Sequence, residues 1–165
     1  MDEILKIPFA VFDNNWDDLQ LFLKHKGNPP YMITDDLGLY FSEIEDLGNL
    51  TSVGGNLYLR DSEIEDLGNL TSVGGSLYLR DIEIKSLGNL TSVGGSLYLR
   101  DIEIKSLGNL TSVGSNLDLY ESEIEDLGNL TSVGGWLDLT DTPLSKKYSR
   151  EEIREIVKVG RSIYF

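Results

Sequence analysis

Residues 87–106 read LGNLTSVGGSLYLRDIEIKS, and the same stretch recurs with small changes from Leu47 to Thr140 at a period of twenty residues. Aligned on V-G-G-x-L-x-L, the copies place valines at Val53, Val73, Val93, Val113 and Val133. The leucine pairs are Leu57/Leu59, Leu77/Leu79, Leu97/Leu99, Leu117/Leu119 and Leu137/Leu139, and Ile33, Leu37, Leu39 and Ile44 form a partial earlier copy. A constant period of this length marks a solenoid, in which no repeat buries its apolar face alone and stacking does it. Within a copy, Leu57-Tyr58-Leu59 alternates apolar and polar, which predicts a short strand with both leucines inward. Ile64, Leu67, Leu70 and Val73 then fall every three residues, which predicts a 3₁₀ or extended irregular return. In-register strands then stack as a parallel sheet at about 4.8 Å per coil.

The glycine pair divides. The first position is glycine at 54, 74, 94, 114, 134 and 160, while Ser115 and Arg161 replace the second. The first is expected to need positive φ or close backbone approach, the second only a small residue. Asn49, Asn69, Asn89, Asn109 and Asn129 are expected to satisfy turn backbone locally. The column at 82 and 102 is expected to stack isoleucine on isoleucine.

The pattern L-x-L-x-x-x-x-I-x-x-L-x-x-L resembles a short leucine-rich repeat. Its L-G-N-L-T-S-V-G-G flavour resembles repeat proteins encoded by large tailed phages and some bacteria, over roughly residues 31–165. The family's Asn or Cys after the strand is replaced by Ser62, Ile82, Ile102, Ser122 and Thr142. The expected fold is therefore a leucine-rich-repeat-like solenoid of parallel β-strands with irregular or 3₁₀ returns. A true parallel β-helix is the alternative.

One structural domain in three parts is expected: a helical cap over 1–30, the solenoid over 31–140, and a closing cap over 141–165. Residues 1–12 are apolar and broken by Pro8, which predicts an extended or irregular lead. Asn15 then reads as an N-cap, with Asp17 and Asp18 in the first turn and Trp16, Leu19, Phe22 and Leu23 at helical spacing. Gly27 ends that helix, and His25 reads as a cation in its last turn. At the other end Ser149 and Glu152 frame a capping box before Ile153, Ile156 and Val157. Residues 159–165 match 93–99 position for position, which predicts a final strand beside 137–139.

The net charge is −14, and there is no cysteine, which removes disulfides and thiolate metal sites. Residues 31–140 hold nineteen acids and five bases, residues 1–30 five acids and three bases, and residues 141–165 four acids and six bases. An acidic body disfavours direct nucleic-acid binding. No apolar run has the length of a membrane span, and no secretory leader is read at the N-terminus, so a cytoplasmic setting is expected, the host cytoplasm for a phage-encoded chain. No phosphate loop, dinucleotide fingerprint, nucleophile elbow, zinc helix or calcium nonapeptide occurs. The expectation is a non-enzyme with no cofactor, no metal and no catalytic residue.

Side chains beside the inward leucines form ladders on the sheet face. One column runs Gly38, Tyr58, Tyr78, Tyr98, Asp118, Asp138, Tyr164, the next Tyr40, Arg60, Arg80, Arg100, Tyr120, Thr140, and Trp136 closes a third. Tyr, Trp and Arg are enriched at binding hot spots. Tyr58, Arg60, Tyr78, Arg80, Tyr98, Arg100, Asp118, Tyr120, Trp136 and Asp138 are therefore the candidate surface for a protein partner. Stacked tyrosines also stabilise a ladder, and each arginine precedes an aspartate with which it can pair. Two other functions remain open: an acidic inhibitor of host defence or nucleic-acid machinery, and a nucleotide or anion sink.

Overall fold

The computed structural model describes residues 4–165; the first three residues of the lead lie outside it. In chain order the elements are β1 (Leu5–Ile7), a 3₁₀ turn over Phe9–Phe12, α1 (Trp16–His25), β2 (Tyr31–Ile33) and β3 (Leu37–Gly38). Strand pairs follow, one per coil: β4 and β5 (Leu50–Val53, Leu57–Tyr58), β6 and β7 (Ser72–Val73, Leu77–Tyr78), β8 and β9 (Ser92–Val93, Leu97–Tyr98). Then come β10 and β11 (Ser112–Val113, Leu117–Asp118) and β12 and β13 (Ser132–Val133, Leu137–Asp138). The chain closes with α2 (Pro143–Lys147), α3 (Arg150–Ile156), β14 (Lys158–Val159) and β15 (Ile163–Tyr164).

These strands make a parallel β-solenoid with two sheets. One is eight-stranded, β1-β2-β4-β6-β8-β10-β12-β14, and the other seven-stranded, β3 through β15 by odd numbers. Pairing is in register at the repeat length, as Leu77 beside Leu97 and Val73 beside Val93. The expected single strand with an irregular return is thus amended: the return carries a second strand at each T-S-V. Its threonine staples the coils, since Thr71, Thr91 and Thr111 Oγ1 each donate to the carbonyl of the threonine twenty residues earlier at 2.9 Å.

The core is one continuous stack. In a middle coil Val93, Leu97, Leu99, Ile104, Leu107 and Leu110 are all buried. Burial contributes about 1.5–3 kcal/mol for each such side chain, so six per coil offset a large ordering cost. Ile82 and Ile102 are buried in one column, as the sequence implies. Ser62, Ser122 and Thr142 are buried in that same column, each donating its hydroxyl to the carbonyl three residues earlier at 2.7–2.8 Å.

The first glycine of each pair answers to close approach and not to positive φ. A Cβ at Gly94 would sit inside the van der Waals contact of the Gly74 carbonyl, and the same holds up the column. Positive φ instead belongs to the glycine of L-G-N, as Gly68 at 54° and Gly88 at 56°. The neighbouring asparagines bond across coils where local bonds were expected: Asn89 Nδ2 donates to the Gly68 carbonyl at 2.9 Å and Asn109 Nδ2 to that of Gly88 at 3.2 Å.

Both caps form. Asn15 Oδ1 accepts from Asp17 N and Asp18 N, and α1 buries Leu19 and Leu23. His25 sits in its last turn with Nδ1 2.9 Å from the Leu21 carbonyl. The described part of the lead is extended and then irregular, as expected: Leu5–Ile7 adds a strand to the eight-stranded sheet beside β2, and a 3₁₀ turn follows Pro8. At the far end the Ser149–Glu152 capping box is present, and Val159 and Ile163 pair beside Val133 and Leu137 as the terminal match implies. The short α2, capped by Thr142 with Pro143 in its first turn, was missed in the sequence although both signals are there.

Tyr31 joins cap to solenoid. It is buried, donates to the Leu47 carbonyl at 3.0 Å and accepts from Gln20 Nε2 at 3.4 Å. Burial pushes its hydroxyl up to about 12, helped by Asp46 and opposed by Gln20. An unfolded tyrosine ionises near pH 10. Between those values the folded chain keeps a proton that the unfolded chain has lost. The contribution is therefore whole below pH 10 and is lost as pH rises toward 12. Tyr31→Phe is expected to flatten the fall of stability across that window by about 2 kcal/mol. Denaturant titrations at several pH values check this, and equal slopes for both chains contradict it.

Candidate functional site

The seven-stranded sheet carries the candidate columns outward, because its leucines point in and the residues between them alternate away. The Tyr58 and Tyr78 ring centroids are 4.7 Å apart at 9°, and those of Tyr78 and Tyr98 are 4.9 Å apart at 14°. Near-parallel stacking at this spacing is imposed by the strand separation, since isolated aromatic pairs favour offset or edge-on geometry. A fourth ring joins from an unexpected position. Tyr40 belongs by sequence to the arginine column, yet its ring lies over Gly38, where Cε2 would be 2.8 Å from a Cβ, and packs 5.3 Å from Tyr58. Gly38 thus makes room for Tyr40 to extend the stack. Burial, then neighbouring Tyr78 and Asp36, hold the Tyr58 hydroxyl above its ordinary range.

The arginine column splits in two. Arg60 Nε lies 3.1 Å from Asp61 and 3.4 Å from Asp81, and Arg80 Nε lies 3.3 Å from Asp81, so these pair along the edge. Arg100 instead lies over the Tyr120 ring, 4.1 Å from its centroid, because tyrosine replaces arginine in the next coil. The aspartates of these pairs stand at φ 53–57°, a left-handed turn that Asp tolerates.

Beyond the tyrosines, Asp118 Oδ1 accepts from Tyr120 N at 3.1 Å and Asp138 Oδ1 from Thr140 N at 2.9 Å, so both close local turns. The sequence places Trp136 on the open sheet face. It is half-buried and packs edge-on against Tyr164, with centroids 6.2 Å apart. The column leading to it is structural: Asn56, Ser76, Ser96 and Asn116 each accept, through a side-chain oxygen, the backbone N–H twenty residues on. The candidate residues therefore fall into a central Tyr–Arg face, Tyr40 to Arg100, and a C-terminal group tied down by turns and by Tyr164.

On the neighbouring corner, Glu45, Asp46, Glu63, Glu65, Asp66, Asp81 and Glu83 line a groove of about 1280 Å³ that Arg80 and Arg100 also reach. Much of the acidity along this edge of the solenoid has local work. Asp46, Asp66 and Asp126 accept from the glycine N–H two residues on, and Ser86 and Ser106 take over that bond in the middle coils. Lys85 and Lys105 meet Glu65 and Glu125 at 2.7 and 2.9 Å, which raises both lysines above their ordinary values. The glutamates at 43, 63, 83, 103 and 123 remain an exposed row. Among the described residues no group of three or more His, Asp or Glu is placed to hold a metal, and no helix is long and apolar enough to cross a membrane.

Set against family models, curated proteins and solved structures, the chain matches none. The parallel coils of twenty residues and their leucine-rich strands define a leucine-rich, repeat-built β-solenoid.

Proposed function

We propose that this solenoid is a non-catalytic interaction module that presents its Tyr–Arg face to a protein partner. The observation carrying this reading is the stack Tyr40-Tyr58-Tyr78-Tyr98, flanked by exposed Arg80 and Arg100. The rings already hold one geometry in the free protein, so binding them loses little side-chain freedom. Their faces are spent on one another, so the surface offers ring edges and hydroxyls at coil spacing and leaves no slot for a base between the rings. This weighs against the nucleotide sink. Replacing Tyr78, Arg80, Tyr98 and Arg100 together by serine is expected to abolish capture of a partner from bacterial lysate while the circular-dichroism melt stays cooperative. Undiminished capture contradicts the reading.

The acidic groove favours a second reading, an inhibitor that engages a basic protein in a host cytoplasm, to which the phage-type resemblance also belongs. It requires binding that weakens steeply with salt and competes with DNA. Capture that is indifferent to salt excludes it.

A further inference from the structure

The tyrosine stack stops at Tyr98. Tyr98 pairs in register with Asp118, Asp118 with Asp138, and Asp138 with Tyr164. The two aspartates thus form the floor of a trough between two tyrosines, whose coils stand about 14 Å apart. Tyr98 lies 14° from parallel with Tyr78, so one face of its ring covers Tyr78 and the other looks along the solenoid over Asp118. The stack spends its ring faces on one another everywhere but at this end. At the far wall Trp136 packs edge-on against Tyr164. An aspartate reaches less far from the sheet than a tyrosine ring, which leaves room at ring height above both carboxylates.

The floor carries charge that the chain does not answer. Asp118 Oδ1 accepts from Tyr120 N and Asp138 Oδ1 from Thr140 N, while Oδ2 of each accepts no hydrogen bond. Among the described residues no Lys or Arg forms an ion pair with either aspartate. The arginines of the adjoining coil and cap have other work. Arg100 lies over the Tyr120 ring, Arg150 donates Nε to the Ile163 carbonyl and faces Phe165, and Arg154 reaches the Val159 and Arg161 carbonyls. Like charges at neighbouring ladder positions repel, and a cation set between them relieves this.

We infer that this trough is the subsite where a partner protein places an arginine side chain, its guanidinium stacked on the free face of Tyr98 and its N–H groups forked to Asp118 and Asp138 Oδ2. The inference rests on the reading of this face as a partner surface and names what the partner brings. A guanidinium is planar and stacks on a ring, as Arg100 already does 4.1 Å from the Tyr120 centroid, within one coil step. Its fork matches carboxylate oxygens. Residues 31–140 hold nineteen acids against five bases, which draws a basic segment to this body. A lysine ammonium, more strongly hydrated and without a plane, suits ring and carboxylates less well.

Nuclear magnetic resonance titration of the full chain with N-acetyl-arginine amide tests this, with N-acetyl-lysine amide and the neutral N-acetyl-citrulline amide as comparisons. Saturable shifts are expected at the Trp136 indole N–H and at the Tyr98 and Asp118 amides. Citrulline is expected to give none, and lysine to bind at least about threefold more weakly. Asp138→Asn is expected to weaken arginine about fivefold. Asp118→Tyr continues the column with the residue of the earlier coils, fills the trough, and is expected to abolish saturation while the melt stays cooperative. Absence of saturation overturns the inference, as do equal binding of arginine and lysine, shifts that follow the exposed glutamate row instead, and shifts that Asp118→Tyr leaves unchanged. Loss of capture in the four-residue variant without arginine binding strikes this inference alone. Arginine binding with undiminished capture strikes the wider reading alone.

Discussion

Gly94→Ala is expected to destabilise the protein by about 3 kcal/mol, the upper range for an inserted methyl, because Gly94, although exposed, packs directly on backbone. The added methyl would meet backbone, the Gly74 carbonyl, and not a side chain that can swing aside. Gly74 is itself held by its N–H bond to the Val53 carbonyl at 2.8 Å, so relief would require separating coils. The column also has a direction. Each glycine faces the carbonyl twenty residues before it, or twenty-six for Gly160, and the chain begins the column with Thr34, whose carbonyl Gly54 faces. Gly95→Ser is the comparison: a Cβ there also comes within 2.8 Å of the Gly75 and Ser76 backbone, yet Ser115 occupies the equivalent place one coil later and still donates its N–H to the Gly95 carbonyl at 3.0 Å. Denaturant midpoints should fall sharply for the first change and less for the second. Equal midpoints would mean that the coils are not packed glycine on glycine.

Deleting residues 159–165 is expected to lower the melting temperature by at least about 10 °C, from a loss of about 4 kcal/mol or more. The segment supplies buried Ile163, the carbonyls of Ser162 and Tyr164 that accept from Leu137 N and Leu139 N, and the Gly160 N–H bonded to Val133. It also supplies the carbonyls that Arg150 and Arg154 hold. Without it the seven-stranded sheet ends at β13 with an open edge, and light scattering should rise on heating. An unchanged melt without aggregation would contradict the closing role of this strand.

Much of this was legible because, in a repeat, position in the period is position in space. Leu97 and Leu99 had to be inward once Tyr98 between them was polar, and 159–165 had to pair beside 133–139 once the residues matched. The second strand was not legible. Thr-Ser-Val is too short to show alternation, and the glycines after it read as a turn. Tyr40 was assigned by offset to the arginine column, but its ring bends over Gly38, a rotamer choice that no periodicity records. Arg100 parted from Arg60 and Arg80 because its neighbour one coil on is Tyr120, so identical residues in identical frames found different partners. The asparagines bond to the coil before, while local reasoning looks only along the chain.

The stacking of the coils is tested most directly by distances between spin labels on the exposed glutamate row. Labels at Glu43 and Glu123 span four coils and should lie roughly 19 Å apart, with Glu43 and Glu83 at roughly half that, growing by about 4.8 Å for every twenty residues. Distances that fail to grow evenly with the number of repeats would contradict a parallel, in-register solenoid.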